Sequence, residues 1–258
     1  MTQKTPTYGA AILAGGPPDR LAQKMDVPHK ALIPLDGGTV IDYVVDAVRG
    51  VSDLEKVIVV AHREGAFGHL DVDVPVVETT GNSFVETIET AAEALPDVDR
   101  LILCTCDVPM LEPQAVAHFI KSCTNSPEAD VAWAIVEEKT VRAKFPHASR
   151  TFVKLTEARF TGGALAMMTR GFLSHNFQYL RDAYARRKNI FALGNLLGWR
   201  FVVKLLLRRL SLVRVLQRAE QLLDCQVLAV ISPYASVAFD IDGVKDLAAV
   251  REWAQTRD

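Results

Sequence analysis

"AAILAGGPPDRLAQKMDVPHKAL" (residues 10–32) decides the reading of the whole chain. Its opening residues are small and apolar, and with Tyr8 and Gly9 they make a strand of the kind buried inside a parallel sheet. The strand runs into Gly15-Gly16-Pro17-Pro18, with Arg20 and Lys30 just beyond. A connecting turn needs neither the glycine pair nor the cations. Glycines let a backbone approach a ligand closely, and consecutive amides can cradle an anion. Arginine forks onto phosphate oxygens, and lysine acts as a compact point charge. The stretch predicts an anionic group held at this turn. The alternative is a plain strand-to-loop turn with solvated cations.

Working outward, the pattern is strand, loop, helix, repeated. Thr39 caps a predicted helix running to residue 48. Residues 56–61, "KVIVVA", form a β-branched run suited to a central parallel strand, and 74–77 a third strand. Asn82 is the expected cap of a helix to residue 95. "RLILCTC" (100–106) is the next strand, ending at Asp107-Val108-Pro109. A helix over 113–122 and a strand over 129–136 follow. This alternation predicts an α/β fold with a doubly wound, mostly parallel, Rossmann-like sheet and helices on both faces. In such sheets ligands collect at the carboxyl ends of the strands, which places the opening turn, Gly81-Asn82 and Asp107 along one edge.

Beyond residue 140 the regularity changes. Residues 141–155 read as irregular or strand structure, Thr161-Gly162-Gly163 precedes another apolar strand, and 174–188 reads as a helix. Residues 174–223 thus read as a helical insertion, and the last unit as strand, turn, strand, helix. In "AFDIDGVKDL" (238–247), Asp240 and Asp242 alternate, so in a strand they share a face and can flank one cation. Asp242 can equally cap the helix beginning near Val244. A lone Asp107 at a strand end suits a hard divalent cation, or merely a turn or helix cap. Thr161-Gly162-Gly163 either lets a substrate lie on bare backbone or makes a tight turn.

Size and charge narrow the classes. A chain of 258 residues, 49% hydrophobic and 23% charged, suits one large soluble α/β domain over residues 1–258. A net charge of −2 gives no basic field for nucleic acid. The cysteines, Cys104, Cys106, Cys123 and Cys225, follow no zinc-like spacing. With no signal-like N-terminal stretch, the expected compartment is the cytoplasm. Residues 196–216, "LLGWRFVVKLLLRRLSLVRVL", carry cations too often for a spanning helix. They are open to four readings: packed helices, a lid, a homodimer surface or a peripheral membrane contact.

Taken together, Leu13-Ala14-Gly15-Gly16 with Arg20 and Lys30-Ala31-Leu32 resembles the opening signature of the nucleotidyltransferases related to molybdenum-cofactor guanylyl- and cytidylyltransferases. Asp107-Val108-Pro109 is similar to their metal aspartate. Thr161-Gly162-Gly163 resembles their acceptor-facing glycine pair, and "DIDGVKDL" the closing motif of the wider NTP transferase superfamily. The resemblance implies transfer of a nucleoside monophosphate from a nucleoside triphosphate to a phosphorylated small molecule, with Mg2+ and release of pyrophosphate. It implies that Leu13, Ala14, Gly15, Gly16 and Arg20 hold the triphosphate and that Lys30 reaches the α-phosphate. Asp107 and Asp242 would ligate magnesium, with Asp240 in reserve, and Gly81 and Asn82 would read base and ribose. Arg20, Lys30 and Asp107 are then the catalytic set. The nucleotide half would span about 8–136 and the acceptor half 137–258. Two departures stand out. Pro17 and Pro18 remove amide donors where relatives carry small or polar residues, and His29 separates Pro28 from Lys30. A glycosyltransferase-like enzyme using a nucleotide sugar is the alternative reading, resting on Asp240-Ile241-Asp242; a non-catalytic nucleotide-binding or membrane-surface protein is another.

Overall fold

A computed structural model describes residues 6–17, 19–62, 67, 74–80, 83–186, 201, 204 and 207–256, with no side-chain detail for 182–186. The first strand, β1 (Tyr8–Ala14), is buried along its whole length. It pairs in parallel with β4 (Lys56–His62) and β6 (Arg100–Thr105), and β4 with β5 (Val76–Thr79). Beyond β6 the direction reverses: β9 (Arg159–Thr169) runs antiparallel to both β6 and β7 (Val131–Glu137). A parallel strand, β10 (Val227–Ile231), closes the far edge. The order is β10-β7-β9-β6-β1-β4-β5, with β8 (Val153–Lys154) paired to β9. A short hairpin, β2 (Pro34–Leu35) and β3 (Gly38–Thr39), stands apart. The mostly parallel doubly wound expectation holds, with β9 as the antiparallel member.

Strand alternation divides the core. Ala10, Ile12 and Ala14 face one layer, with Val44 and Val48 of α2 (Val40–Arg49), Phe119 of α4 (Pro113–Thr124) and Leu247 of α8 (Val244–Ala254). Ala11 and Leu13 face the other, with Ile88 and Ala91 of α3 (Phe84–Ala94) and Phe172 of α6 (Arg170–Arg186). Both faces of β1 are therefore dry, which its sequence requires. At the amino edge, Arg100 is buried and donates to Cys123 O at 2.6 Å and Pro127 O at 2.7 Å, a structural anchor rather than a site.

Several local expectations change. Ser83, not Asn82, caps α3: its Oγ accepts from Glu86 N at 3.2 Å while Glu86 accepts from Ser83 N at 2.9 Å. The stretch expected to be irregular or extended over 141–155 includes most of a helix, α5 (Glu138–Lys144). The predicted last strand is a 3-10 turn (Ala235–Ala238) followed by residues 240–242 outside any strand. Of the predicted insertion, α6 and α7 (Leu212–Leu223) are helical, while 187–200, 202–203 and 205–206 lie outside the described residues. Much of the 196–216 segment falls there. Its described Leu210 is buried against Leu155 and Phe160. Among the described residues no helix is long and apolar enough to cross a membrane.

Candidate active site

The parallel strands end along one edge, and Asp19 and Lys30 of the opening motif gather there. β1 stops at Ala14, which is wholly buried, as Leu13 nearly is. A Cβ on Gly15 would lie 2.4 Å from Thr87 Oγ1 and 2.9 Å from Thr79 Cγ2. Gly15 is glycine because α3 and β5 pack against its backbone. A Cβ on Gly16 would meet nothing within 4 Å. Neither residue adopts the left-handed conformation, which among the described glycines only Gly37 does. The turn needs glycine for close approach and openness, not for positive φ.

Asp19 follows and caps α1 (Arg20–Lys24), its Oδ1 accepting from Ala22 N at 2.8 Å. Arg20 begins that helix, exposed to solvent, and does not line the cleft that opens over this edge. Lys30 opens a 3-10 turn (Lys30–Leu32) whose cap is His29: His29 Nδ1 accepts from Ala31 N at 3.1 Å. The His29 ring is buried and meets Phe67 edge-on at 5.3 Å. Burial, reinforced by the neighbouring Lys30 charge, lowers its pKa to about 4, so the imidazole is neutral and free to accept.

Lys30 Nζ lies 2.5 Å from Asp107 Oδ2 and 3.7 Å from Asp19 Oδ2. Burial alone would pull the lysine pKa down, but the Asp107 carboxylate, with Cys106 and Asp19 adding to it, outweighs this, and Lys30 is held above its ordinary value. Asp107 sits just past β6 and is 7% exposed. Its second oxygen, Oδ1, is buried without a hydrogen-bond partner among the described residues. Cys106 beside it is a buried thiol, its pKa pushed up to about 12 by burial and then by Asp107.

The C-terminal turn reaches the same place. Ile241 N donates to Asp107 O at 2.9 Å. Carboxylate oxygens of Asp107, Asp240 and Asp242 all lie within 4.8 Å of one another. Desolvation raises the Asp240 pKa to about 6; Arg150 opposes this, and Asp107 and Asp242 add to it. Asp242 does not cap α8. The cap position is Gly243, and Asp246 at the third helical position reaches back to it, its Oδ2 accepting from Gly243 N at 3.1 Å and Asp242 N at 3.2 Å. Arg150 enters from the loop between α5 and β8, its Nη1 3.1 Å from Asp240 Oδ1 and 3.4 Å from Asp242 Oδ2.

A cleft of about 250 Å³ opens at this edge, lined among others by Gly15, Gly16, Asp19, Lys30, Thr87 and Asp107; of the three clustered carboxylates, Asp107 alone lines it. Larger hollows, of about 560 Å³ on the outer side of α4 and about 640 Å³ beside α5, have none of the three clustered carboxylates in their walls. Charge, not size, marks the site. Thr161, Gly162 and Gly163 lie within β9 rather than in a turn before it, on the same edge, opposite the end of β7, with Gly162 paired to Ile135. Gly163 O accepts from Trp133 Nε1 at 3.1 Å, and a Cβ on Gly163 would lie 2.6 Å from Val237 Cγ1. A small cavity beside Trp133 and Gly163 shares Leu13, Phe84 and Thr105 with the cleft. Gly81 and Asn82 lie outside the described residues.

A family model for the MobA-like NTP transferase domain matches residues 10–196. The chain belongs to the MobA-like NTP transferase family. As a member it is a nucleotidyltransferase, which sets aside the glycosyltransferase-like and non-catalytic readings. A hypothetical transferase from Thermus thermophilus is similar at a TM-score of 0.82 and 31% identity, over 93% of this chain and all of that one. A CMP:2-keto-3-deoxy-manno-octonic acid synthetase complexed with CTP shares the fold at 0.64 and 15%, over 98% of this chain and 100% of its own. A 2-C-methyl-D-erythritol 4-phosphate cytidylyltransferase, also from Thermus thermophilus, does so at 0.59 and 17%, over 97% and 100%. No curated protein matches this MobA-like chain.

The sequence reading missed Arg150, Asp246, Asp19 and Trp133. Asp246 had a signal, since it stands three residues after Gly243 where a capping carboxylate belongs. Arg150 had none. Its partners are about 90 residues away in the chain.

Proposed function

We propose that this enzyme transfers a nucleoside monophosphate from a nucleoside triphosphate to a phosphorylated small molecule, releasing pyrophosphate, with magnesium held by Asp107 and Asp242. The observation that carries the reading is the Asp107 carboxylate: one oxygen is paired to Lys30, and the other is buried with no partner among the described residues. An orphaned buried carboxylate oxygen beside two further carboxylates suits a hard divalent cation, which takes oxygen ligands. When bound, magnesium would add neutralising charge on the phosphates.

The triphosphate lies over the Gly15–Gly16 turn, where Gly16 presents bare backbone to open space. Arg20 swings over it from the surface, and Lys30, fully charged, neutralises the α-phosphate. A phosphate oxygen of the acceptor bonds to the α-phosphorus, the bond from that phosphorus to the β-bridging oxygen breaks, and pyrophosphate leaves with the electron pair. A phosphate monoester is largely dianionic at pH 7, with its second pKa near about 6. It therefore needs no protein base, and the neutral, buried His29 need not serve as one. Positioning and charge neutralisation supply the acceleration. Gly81 and Asn82 contact the nucleoside, Thr161–Gly163 face the acceptor, and the chain divides into a nucleotide half near 8–136 and an acceptor half near 137–258. A pyrophosphate-release screen of the four ribonucleoside triphosphates against phosphorylated metabolites, with magnesium, tests this. One productive pair is expected; release of nucleoside diphosphate instead would contradict it.

A further inference from the structure

Arg150 is the group most tightly bound into this edge that the transfer reaction does not use. Its side chain is 5% exposed, and its guanidinium carbon lies 5.0 Å from the centre of the Phe239 ring. One nitrogen contacts Asp240 Oδ1 at 3.1 Å and Asp242 Oδ2 at 3.4 Å. The other donates to the backbone carbonyl of Asp240 and lies 3.9 Å from Asp246 Oδ1. Among the described residues, no other cation pairs with Asp240 or Asp242. The loop that carries Arg150 is itself held by Arg142, which donates to Ala148 O at 2.7 Å. That loop leads into β8, the partner of the strand bearing Thr161–Gly163.

We propose that Arg150 is a positioning residue for the metal ligands: it holds the 240–243 turn so that Asp240 and Asp242 stand beside Asp107. The physical problem is repulsion. Three carboxylates within 4.8 Å drive one another apart unless something cationic spans them. Of the three, Lys30 reaches Asp107; Arg150 serves the other two, and its planar fork fixes direction as well as charge. It contacts one oxygen of each carboxylate, and among the described residues no ion pair holds the second of either. The backbone bond from Ile241 N to Asp107 O then sets the register of the turn against β6.

The inference rests on the metal reading above, and its sign can be tested without catalysis. If Arg150 were only a counter-charge competing with the ion, removing it would tighten metal binding. If it positions the ligands, removal weakens binding despite the lost positive charge. Mn2+ is titrated into the full-length protein without nucleotide, and free Mn2+ is read by electron paramagnetic resonance, for wild type, Arg150→Met, Arg150→Lys and Asp107→Asn. Arg150→Met is expected to weaken Mn2+ affinity by roughly tenfold or more, as loss of groups orienting metal ligands does. Arg150→Lys keeps the charge but not the fork, and is expected to recover only part of it. A folded Arg150→Met with unchanged or tighter affinity overturns the proposal. Should Arg150→Met not fold, wild-type affinity in Arg150→Lys overturns it and weakened affinity supports it. If wild type and Asp107→Asn do not differ, the metal reading itself falls and this inference with it; if they differ and Arg150→Met matches wild type, only the role of Arg150 falls.

Discussion

Lys30 Nζ and Asp107 Oδ2 stand 2.5 Å apart at the mouth of the cleft, joining the loop after the first strand to the end of the strand beside it. The two side chains are 21% and 10% exposed, so water screens them little. Breaking one side of such a pair leaves the other charge poorly solvated. Lys30→Met should cost about 3 kcal/mol of stability. The double variant with Asp107→Asn should cost less than the sum of the two, by about 1 kcal/mol or more. Urea denaturation of the four proteins measures this, and strict additivity would show that the pair is not coupled.

The two glycines of the opening turn should respond differently. Gly15→Ala drives a methyl into Thr87 and Thr79 and should destabilise the fold by about 1–3 kcal/mol. Gly16→Ala meets nothing within 4 Å and should melt like wild type, yet lose nucleotide affinity if phosphate lies against that backbone. Thermal melts and calorimetry with nucleoside triphosphate separate the two. Unchanged affinity in Gly16→Ala would remove the phosphate from this turn.

His29 sets a pH dependence. Its pKa falls from 6.5 in the unfolded chain to about 4 in the fold, so the unfolded state binds more protons between these values. Its contribution, about 3 kcal/mol, is complete above about pH 6.5 and is lost as pH falls toward 4. Asp240, raised from 3.8 to about 6, works in the opposite sense over part of this window. The measurement is therefore the difference between wild type and His29→Asn, which keeps a capping oxygen. That difference should shrink as pH drops from 7 to 4.5; a constant difference would show His29 is not held neutral.

The central strands were legible because burial on both faces leaves a continuous apolar run, as in β1, β4 and β6. The antiparallel β9 was not: an apolar strand that carries its glycine pair inside it bears no mark of direction, which is set by pairing with β6 and β7. The aspartates 240 and 242 were found through alternation, though they lie outside any strand. Arg150 was invisible because long-range ion pairs leave no local pattern. Asn82 was displaced as a cap by Ser83, whose partner Glu86 completes a reciprocal pair of bonds.

Arg20 is exposed at the start of α1, so its loss should leave the melting temperature nearly unchanged. If it forks onto the triphosphate, Arg20→Ala should weaken nucleotide binding by about 1.5–3 kcal/mol, as for a hydrogen bond to a charged group. Calorimetry reads the affinity directly. Wild-type affinity would place Arg20 outside the site.

The most direct test follows the α-phosphorus. With the nucleotide and acceptor found by the screen and saturating magnesium, label at the α-position should enter the acceptor with one pyrophosphate released per transfer. Asp107→Asn and Asp242→Asn should keep the fold and each slow this transfer by roughly 100-fold or more. The paired replacement should cost less than the two combined, because both carboxylates act through one ion. Label transferred at the wild-type rate by both folded variants would contradict the account.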